Sequence, residues 1–236
     1  LIILPAFNEE GSVGKVVSML KQQMSAMIVV IDDGSTDATA SEAREAGAVV
    51  LSHPFNMGYG VALQTGYKYA AQQGVSCILQ LDADGQHEPA CCRDMLRALE
   101  ESGADVVIGS RHLGDRKYEA PVIRGIGMRF FALLTSALLR KRFTDPTSGF
   151  QCLRSTVLPF LVSDYFPVDY PDADVIVMLE RNGYHVLEIP VVMTPSTGKS
   201  MHSGAAPIYY VFKMLLSMFV SLLRPVRDDG GPARLC

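Results

Sequence analysis

The chain is 236 residues long, 48% hydrophobic and 19% charged, with a formal net charge of −4. That length and apolar content suit one large α/β domain and exclude global disorder, while the mild acidic balance excludes the basic excess of a nucleic-acid binder. The five cysteines, Cys77, Cys91, Cys92, Cys152 and Cys236, are odd in number and lack CxxC spacing, which argues against a disulfide framework or zinc site and for a reducing cytoplasm.

The chain opens directly in an apolar run, Leu1–Leu4, without a Met, as a trimmed or partial sequence would. Similar runs recur at Met27–Asp32, Ala48–Ser52, Cys77–Asp82 and Asp105–Gly109. They are continuous rather than alternating, so they predict strands buried on both faces of a parallel sheet. Helical spacing fills the gaps, at about Glu10–Met24, Asp37–Ala46, Tyr59–Gln73 and Pro89–Glu101. Strand alternating with helix predicts a Rossmann-like, mostly parallel sheet with helices on both faces. Right-handed crossovers then gather the C-terminal strand ends along one edge, where ligands of such sheets bind.

Beyond residue 110 the regular alternation stops. The stretch from Gly114 to Arg142 is basic, with Arg116, Lys117, Arg124, Arg129, Arg140, Lys141 and Arg142 against Asp115 and Glu119. It holds a predicted helix from Pro121 to about Leu139, with proline in the first turn. A further helix is predicted over Asp172–Asn182, stopped by Gly183, and then a strand over His185–Val192. Pro207–Leu223 is apolar but contains Lys213, and its longest uncharged run is too short to span a bilayer. It reads as a core helix or as one lying in a membrane interface. The basic stretch favours contact with an anionic lipid surface. The pattern therefore gives one domain over 1–224 and a flexible tail over 225–236.

Each strand end carries polar groups. Asp82 and Asp84 end the fourth run, and i, i+2 side chains of an extended stretch point the same way. Two close carboxylates repel unless a cation neutralises them, and hard oxygen ligands suit Mg²⁺ or Mn²⁺, with Gln86 and His87 near enough to complete the shell. The alternative is a pair of ordinary loop acids with a turn at Asp84-Gly85. Asp33 can accept hydrogen bonds from a base or ribose, or belong to a turn whose helix is capped by Ser35 or Asp37. Arg111 can grip a phosphate in forked geometry or form a surface salt bridge. The glycine-rich segment Asn56–Gly60 lacks the Lys-Ser/Thr of a P-loop and reads as close packing beside the site.

Taken in order, PAFNEE, IDDGSTDAT, NMGYGVALQTG, DADGQH, GSR and DPTSGFQ resemble glycosyltransferase family 2, most nearly its dolichyl- or polyprenyl-phosphate mannosyltransferase branch, from Leu1 to about Arg224. The resemblance implies a GT-A fold and an inverting transfer of a hexose from a GDP- or UDP-sugar to a polyprenyl phosphate. It implies nucleotide contacts from Pro5, Phe7, Glu9, Ile31, Asp33, Asp82 and Ala83, diphosphate contact from Arg111, and metal contacts from Asp82, Asp84 and Gln86. Asp145 and Asp172 become candidate general bases, although each reads equally well as a helix cap. The family's expected Arg before Gly198-Lys199-Ser200 is absent; Lys199 is left to reach a phosphate. The alternatives are a saccharide acceptor or a catalytically weakened nucleotide-sugar-binding paralogue. The expected setting is cytoplasmic, with peripheral contact at the membrane face.

Overall fold

The computed structural model describes residues 1–114, 122–167, 169, 171–193 and 206–223. Seven strands make one sheet: β1 (Ile2–Ala6), β2 (Ile28–Asp32), β3 (Val49–Ser52), β4 (Cys77–Gln80), β5 (Val106–Ser110), β6 (Gln151–Arg154) and β7 (Val186–Pro190). Their order is β3-β2-β1-β4-β6-β5-β7. Every pairing is parallel except the two made by β6. The helices are α1 (Val13–Gln23), α2 (Thr39–Glu45), α3 (Tyr59–Gln73), α4 (Cys91–Ser102), α5 (Val122–Leu139), α6 (Leu158–Leu161), α7 (Ala173–Arg181) and α8 (Ala206–Leu223).

The continuous apolar runs divide between two cores because side chains alternate across a strand. Ile3, Val29, Ile31 and Ile78 face α3, α6 and α7. Ile2, Leu4, Ile28, Val30 and Leu79 face α1 and α4. Both faces are thus covered, as the pattern predicts, except at β3: it is the edge strand, so the run expected to be buried is only half-buried there. A Cβ on Gly66 would sit 2.7 Å from Ile3 Cγ2, so this glycine lets α3 lie close on the sheet. That supports the packing reading of the glycine segment.

One strand escaped the sequence pattern. β6 reads QCLR, too short and too polar at its ends to resemble a buried run. Its pairing between β4 and β5 supplies the burial, and Arg154 closes its end by donating from Nε to Ala104 O (2.8 Å). Running antiparallel, β6 starts where its neighbours finish, with Gln151 opposite Gln80. The segment Asp145–Phe150 is therefore delivered to the same sheet edge as the C-terminal ends of β1, β2, β4 and β5.

A smaller third core joins Phe131 of α5, Ala173 and Val177 of α7, and Met214 and Met218 of α8. One face of α8 is thus a packing face, while Phe212, Leu216, Phe219 and Leu223 stay exposed on the other. No helix among the described residues is long and apolar enough to cross a membrane. Lys199, Arg116, Lys117 and the 225–236 tail lie outside the described residues.

Candidate functional site

β4 stops at Gln80, two residues earlier than the sequence pattern implied, and the chain then turns through Ala83–Gly85, with Gly85 at φ +77°. A turn, rather than extended alternation, brings Asp82 and Asp84 together. Asp82 Oδ1 accepts from the Tyr59 hydroxyl (3.1 Å), and Oδ2 lies 3.3 Å from His87 Nε2. The His87 ring is buried and tilts onto Phe150, centroids 5.0 Å apart. A Cβ on Gly149 would fall 3.0 Å from the Tyr59 hydroxyl and 3.1 Å from Asp82 Oδ2, so the 145–150 segment approaches these groups so closely that any larger residue would press on them.

The two acids are electrostatically unequal. Burial raises the Asp82 carboxyl, but hydrogen bonding and charge from His87, the Tyr59 hydroxyl and the Arg111 charge outweigh it and hold it low. Asp84 is pushed up, first by burial and then by the Asp82 charge. Glu9, in the loop after β1, is raised by burial and further by Asp84, Asp82 and Asp37. Asp84 and Glu9 are thus both raised in part by neighbouring acids, and a divalent cation relieves such repulsion. Among the described residues no three His, Cys, Asp or Glu side chains are arranged to enclose an ion. Asp82 and Asp84 would supply part of a shell, and Mg²⁺ and Mn²⁺ ordinarily keep waters and substrate phosphates as the rest. The Gln86 backbone N–H (2.9 Å) and its amide nitrogen both donate to Asp84, so Gln86 orients that carboxylate.

The nucleotide side is more heavily built than the sequence implied. Asp33 is 3% exposed and staples β2 to the loop before α3, accepting from Met57 N–H (2.9 Å) and Gly58 N–H (2.8 Å), with His53 Nδ1 at 2.7 Å. Neither Ser35 nor Asp37 caps α2 as expected. Ser35 Oγ accepts from Asn8 N–H, and Asp37 accepts from Thr39 and from Glu10 N–H. Phe7 is exposed at the mouth. Ile31 is fully buried in the core, and Pro5 and Ala83 are buried too.

Arg111 and Asp145 meet each other. Arg111 Nε and Nη2 grip Asp145 Oδ2 and Oδ1, each at 2.6 Å, and Arg111 N–H donates to Oδ2 at 3.0 Å. The pair is buried, not the surface bridge considered from sequence, and Asp145 caps no helix. Asp172 stands at the N-cap position of α7 without a side-chain cap bond; Asp174 Oδ1 accepts from Asp172 N–H and Val175 N–H instead. The charge of Asp172 reaches the site: the Tyr59 phenol is pushed well up by burial first, then by Asp82 and Asp172.

Tyr59 and His53 were not singled out from sequence. Their signal was positional, since Tyr59 opens α3 and His53 follows β3, both at the edge where the motifs converge.

The family model "Glycosyl transferase family 2" matches residues 1–158. The chain is 31% identical over 221 residues to an uncharacterised protein of Methanocaldococcus jannaschii, covering 93% of this chain and 90% of that protein. It is 25% identical to the UDP-N-acetylglucosamine–dolichyl-phosphate N-acetylglucosaminyltransferase of Methanococcus voltae, covering 96% of this chain and 97% of the relative. It is 28% identical to the polyprenol monophosphomannose synthase of Mycolicibacterium smegmatis, covering 91% and 84%. Among solved structures, glucosyl-3-phosphoglycerate synthase from Mycobacterium tuberculosis, in complex with Mn²⁺, UDP and glucosyl-3-phosphoglycerate, superposes with a TM-score of 0.69 at 20% identity, covering 97% of this chain and 81% of that one.

Proposed function

The chain belongs to glycosyl transferase family 2 and has its GT-A fold, and on that premise we propose that it moves a hexose from a UDP- or GDP-sugar to a polyprenyl phosphate of the dolichyl type, with inversion at the anomeric carbon. The observation that carries this reading is the convergence of Asp82, Asp84 and Glu9 at one sheet edge, with Asp84 and Glu9 both pushed up by burial and mutual charge. Asp82 and Asp84 would hold a Mg²⁺ or Mn²⁺ ion, which would supply positive charge for the donor diphosphate and the leaving group. The Mn²⁺ and UDP of the structurally similar synthase support that choice.

The chain's own residues divide the remaining work. Tyr59 and His87 keep Asp82 ionised and aimed, and Gln86 orients Asp84. Asp33, Glu9 and Phe7 are assigned to the nucleotide end, and Arg111, held by Asp145, to the phosphates. A lipid phosphate is already anionic, so it attacks without a strong base. That suits a site in which Asp145 is held by Arg111 and Asp172 is the remaining candidate acid. Lys199 is proposed as a further phosphate contact.

A polyprenyl acceptor places the enzyme at a membrane surface, on its cytoplasmic face. The exposed apolar faces of α5 and α8 support peripheral contact: Ile126, Phe130 and Leu133 on one, Phe212, Phe219 and Leu223 on the other, with no acidic residue in either helix. The test is transfer of radiolabel from UDP- and GDP-hexoses to polyprenyl phosphate in Mn²⁺. Label in the organic phase, abolished by EDTA, is expected. Donor binding without transfer to lipid or saccharide acceptors overturns the reading.

A further inference from the structure

We infer that Asp145 and Glu188 are positioning residues, links in a polar chain that runs from the half-buried Glu188 of β7 through Thr144 to the buried Asp145 and aims the Arg111 guanidinium at the donor phosphates. This rests on the transfer proposed above. Glu188 lies on β7 opposite Ile108 of β5, three residues before Arg111. Its Oε1 accepts from Asp145 N–H (2.7 Å), and its Oε2 accepts from Thr144 N–H (2.7 Å) and Thr144 Oγ1 (2.8 Å). Thr144 Oγ1 also lies 2.6 Å from Ser110 Oγ, which is joined directly to Arg111 in sequence. Ser148 Oγ donates to Gly109 O at 2.6 Å, tying the far end of the segment to the same strand.

Three features mark this as aiming rather than plain packing. Asp145 Oδ2 holds both the backbone N–H and the Nε of one residue, which fixes the arginine's path as well as its tip. The carboxylates of Asp145 and Glu188 sit on successive links, each gripping the next through main-chain N–H groups that cannot rotate away. The segment that carries Asp145 also reaches the acids proposed to hold the metal, since a Cβ on Gly149 would fall 3.1 Å from Asp82 Oδ2. An arginine steered in this way loses less freedom on meeting a phosphate than a loose one does.

The test uses the purified full chain. UDP and GDP are titrated in Mn²⁺, with uridine and guanosine measured by competition as controls lacking phosphate. Glu188→Gln and Thr144→Val are then compared with wild type, and Thr144→Ser, which keeps the hydroxyl, serves as the rescue. Glu188→Gln and Thr144→Val are expected to weaken binding of the preferred diphosphate by about tenfold, near the worth of one charge-assisted hydrogen bond, with the nucleoside unchanged and Thr144→Ser like wild type. Diphosphate affinity unchanged in both variants, or diphosphate and nucleoside lost in proportion, overturns the relay. Wild type that binds neither UDP nor GDP removes the donor reading and the relay with it, and that failure is seen before any variant is made. Asp145→Asn is the harsher variant, since it leaves a buried guanidinium under-paired, and the two milder substitutions keep the inference testable if it fails to fold.

Discussion

Asp82 and Asp84 are separated by one alanine yet are driven in opposite directions, and the cause is which donors each one meets. Asp82 has the Tyr59 hydroxyl and His87; Asp84 accepts from Gln86, is buried, and feels the Asp82 charge more than that of His87. Asp84 therefore takes up a proton at higher pH than an ordinary aspartate, and Mn²⁺ must displace that proton. Affinity for Mn²⁺ should fall on acidification from a pH above the usual aspartate range, which a manganese titration by electron paramagnetic resonance can follow. Asp84→Asn should flatten that dependence and lower both Mn²⁺ affinity and transfer by about a hundredfold. If the variant transfers sugar at the wild-type rate, the metal reading is wrong. Gly149 gives a second test without touching a charge. A Cβ there meets Asp82 and Tyr59 at 3.0–3.2 Å, close enough that one of them must shift. Gly149→Ala should cost about tenfold in kcat with a melting temperature near wild type, because it disturbs the aim of Asp82 rather than the core.

At the joint between α7 and α8 the fold carries an acid with no ion-pair partner among the described residues. Asp174 is fully buried, bonded to Asp172 N–H, Val175 N–H and the Ser217 hydroxyl of α8, and burial pushes its carboxyl up to about 6. The folded state holds that proton more tightly than the unfolded chain, so this group favours folding at pH below about 4 and loses that contribution as pH rises through 6. Asp174→Asn keeps the acceptor for both backbone N–H groups and offers an N–H to Ser217. It should be more stable than wild type by about 1–3 kcal/mol at pH 8, with the difference vanishing near pH 4, as read from urea melts at both pH values. The first five strands and four helices were legible in the sequence because each is a long run of one period. β6 and the α7–α8 joint were not, because their burial comes from distant neighbours: QCLR becomes a central strand only between β4 and β5. The motifs located the site edge, but the partners of Asp33 and Arg111 depend on how the 53–58 and 144–150 segments fold back, and no spacing encodes that.

Over the whole molecule the charge is unevenly spread: the formal net charge is −4, yet α5 and α8 contain no acid and α5 leads into Arg140 and Arg142, with Lys141 between them paired to Glu180. Sequence alone could not say which side of these two apolar helices would be covered. The packing of Phe131, Met214 and Met218 around Val177 decides it, turning Leu133 (73% exposed) and Phe219 (58% exposed) outward. An anionic lipid surface answers both features at once, since apolar side chains enter the interface while basic ones meet headgroups at about 1 kcal/mol each. The full chain should float with vesicles containing phosphatidylglycerol, more weakly with pure phosphatidylcholine, and less as salt rises, because added ions screen the basic contribution and leave the apolar one. Replacing Leu133 and Phe219 together by Asp should weaken vesicle binding by at least about thirtyfold, because two apolar anchors are lost and two charges of the wrong sign are added. UDP or GDP affinity should be unchanged in the same variant, since neither residue lies at the sheet edge that holds Asp82. If the double variant floats as wild type does, a different face meets the membrane; if wild type does not float even at low salt, the acceptor reaches the site by another route.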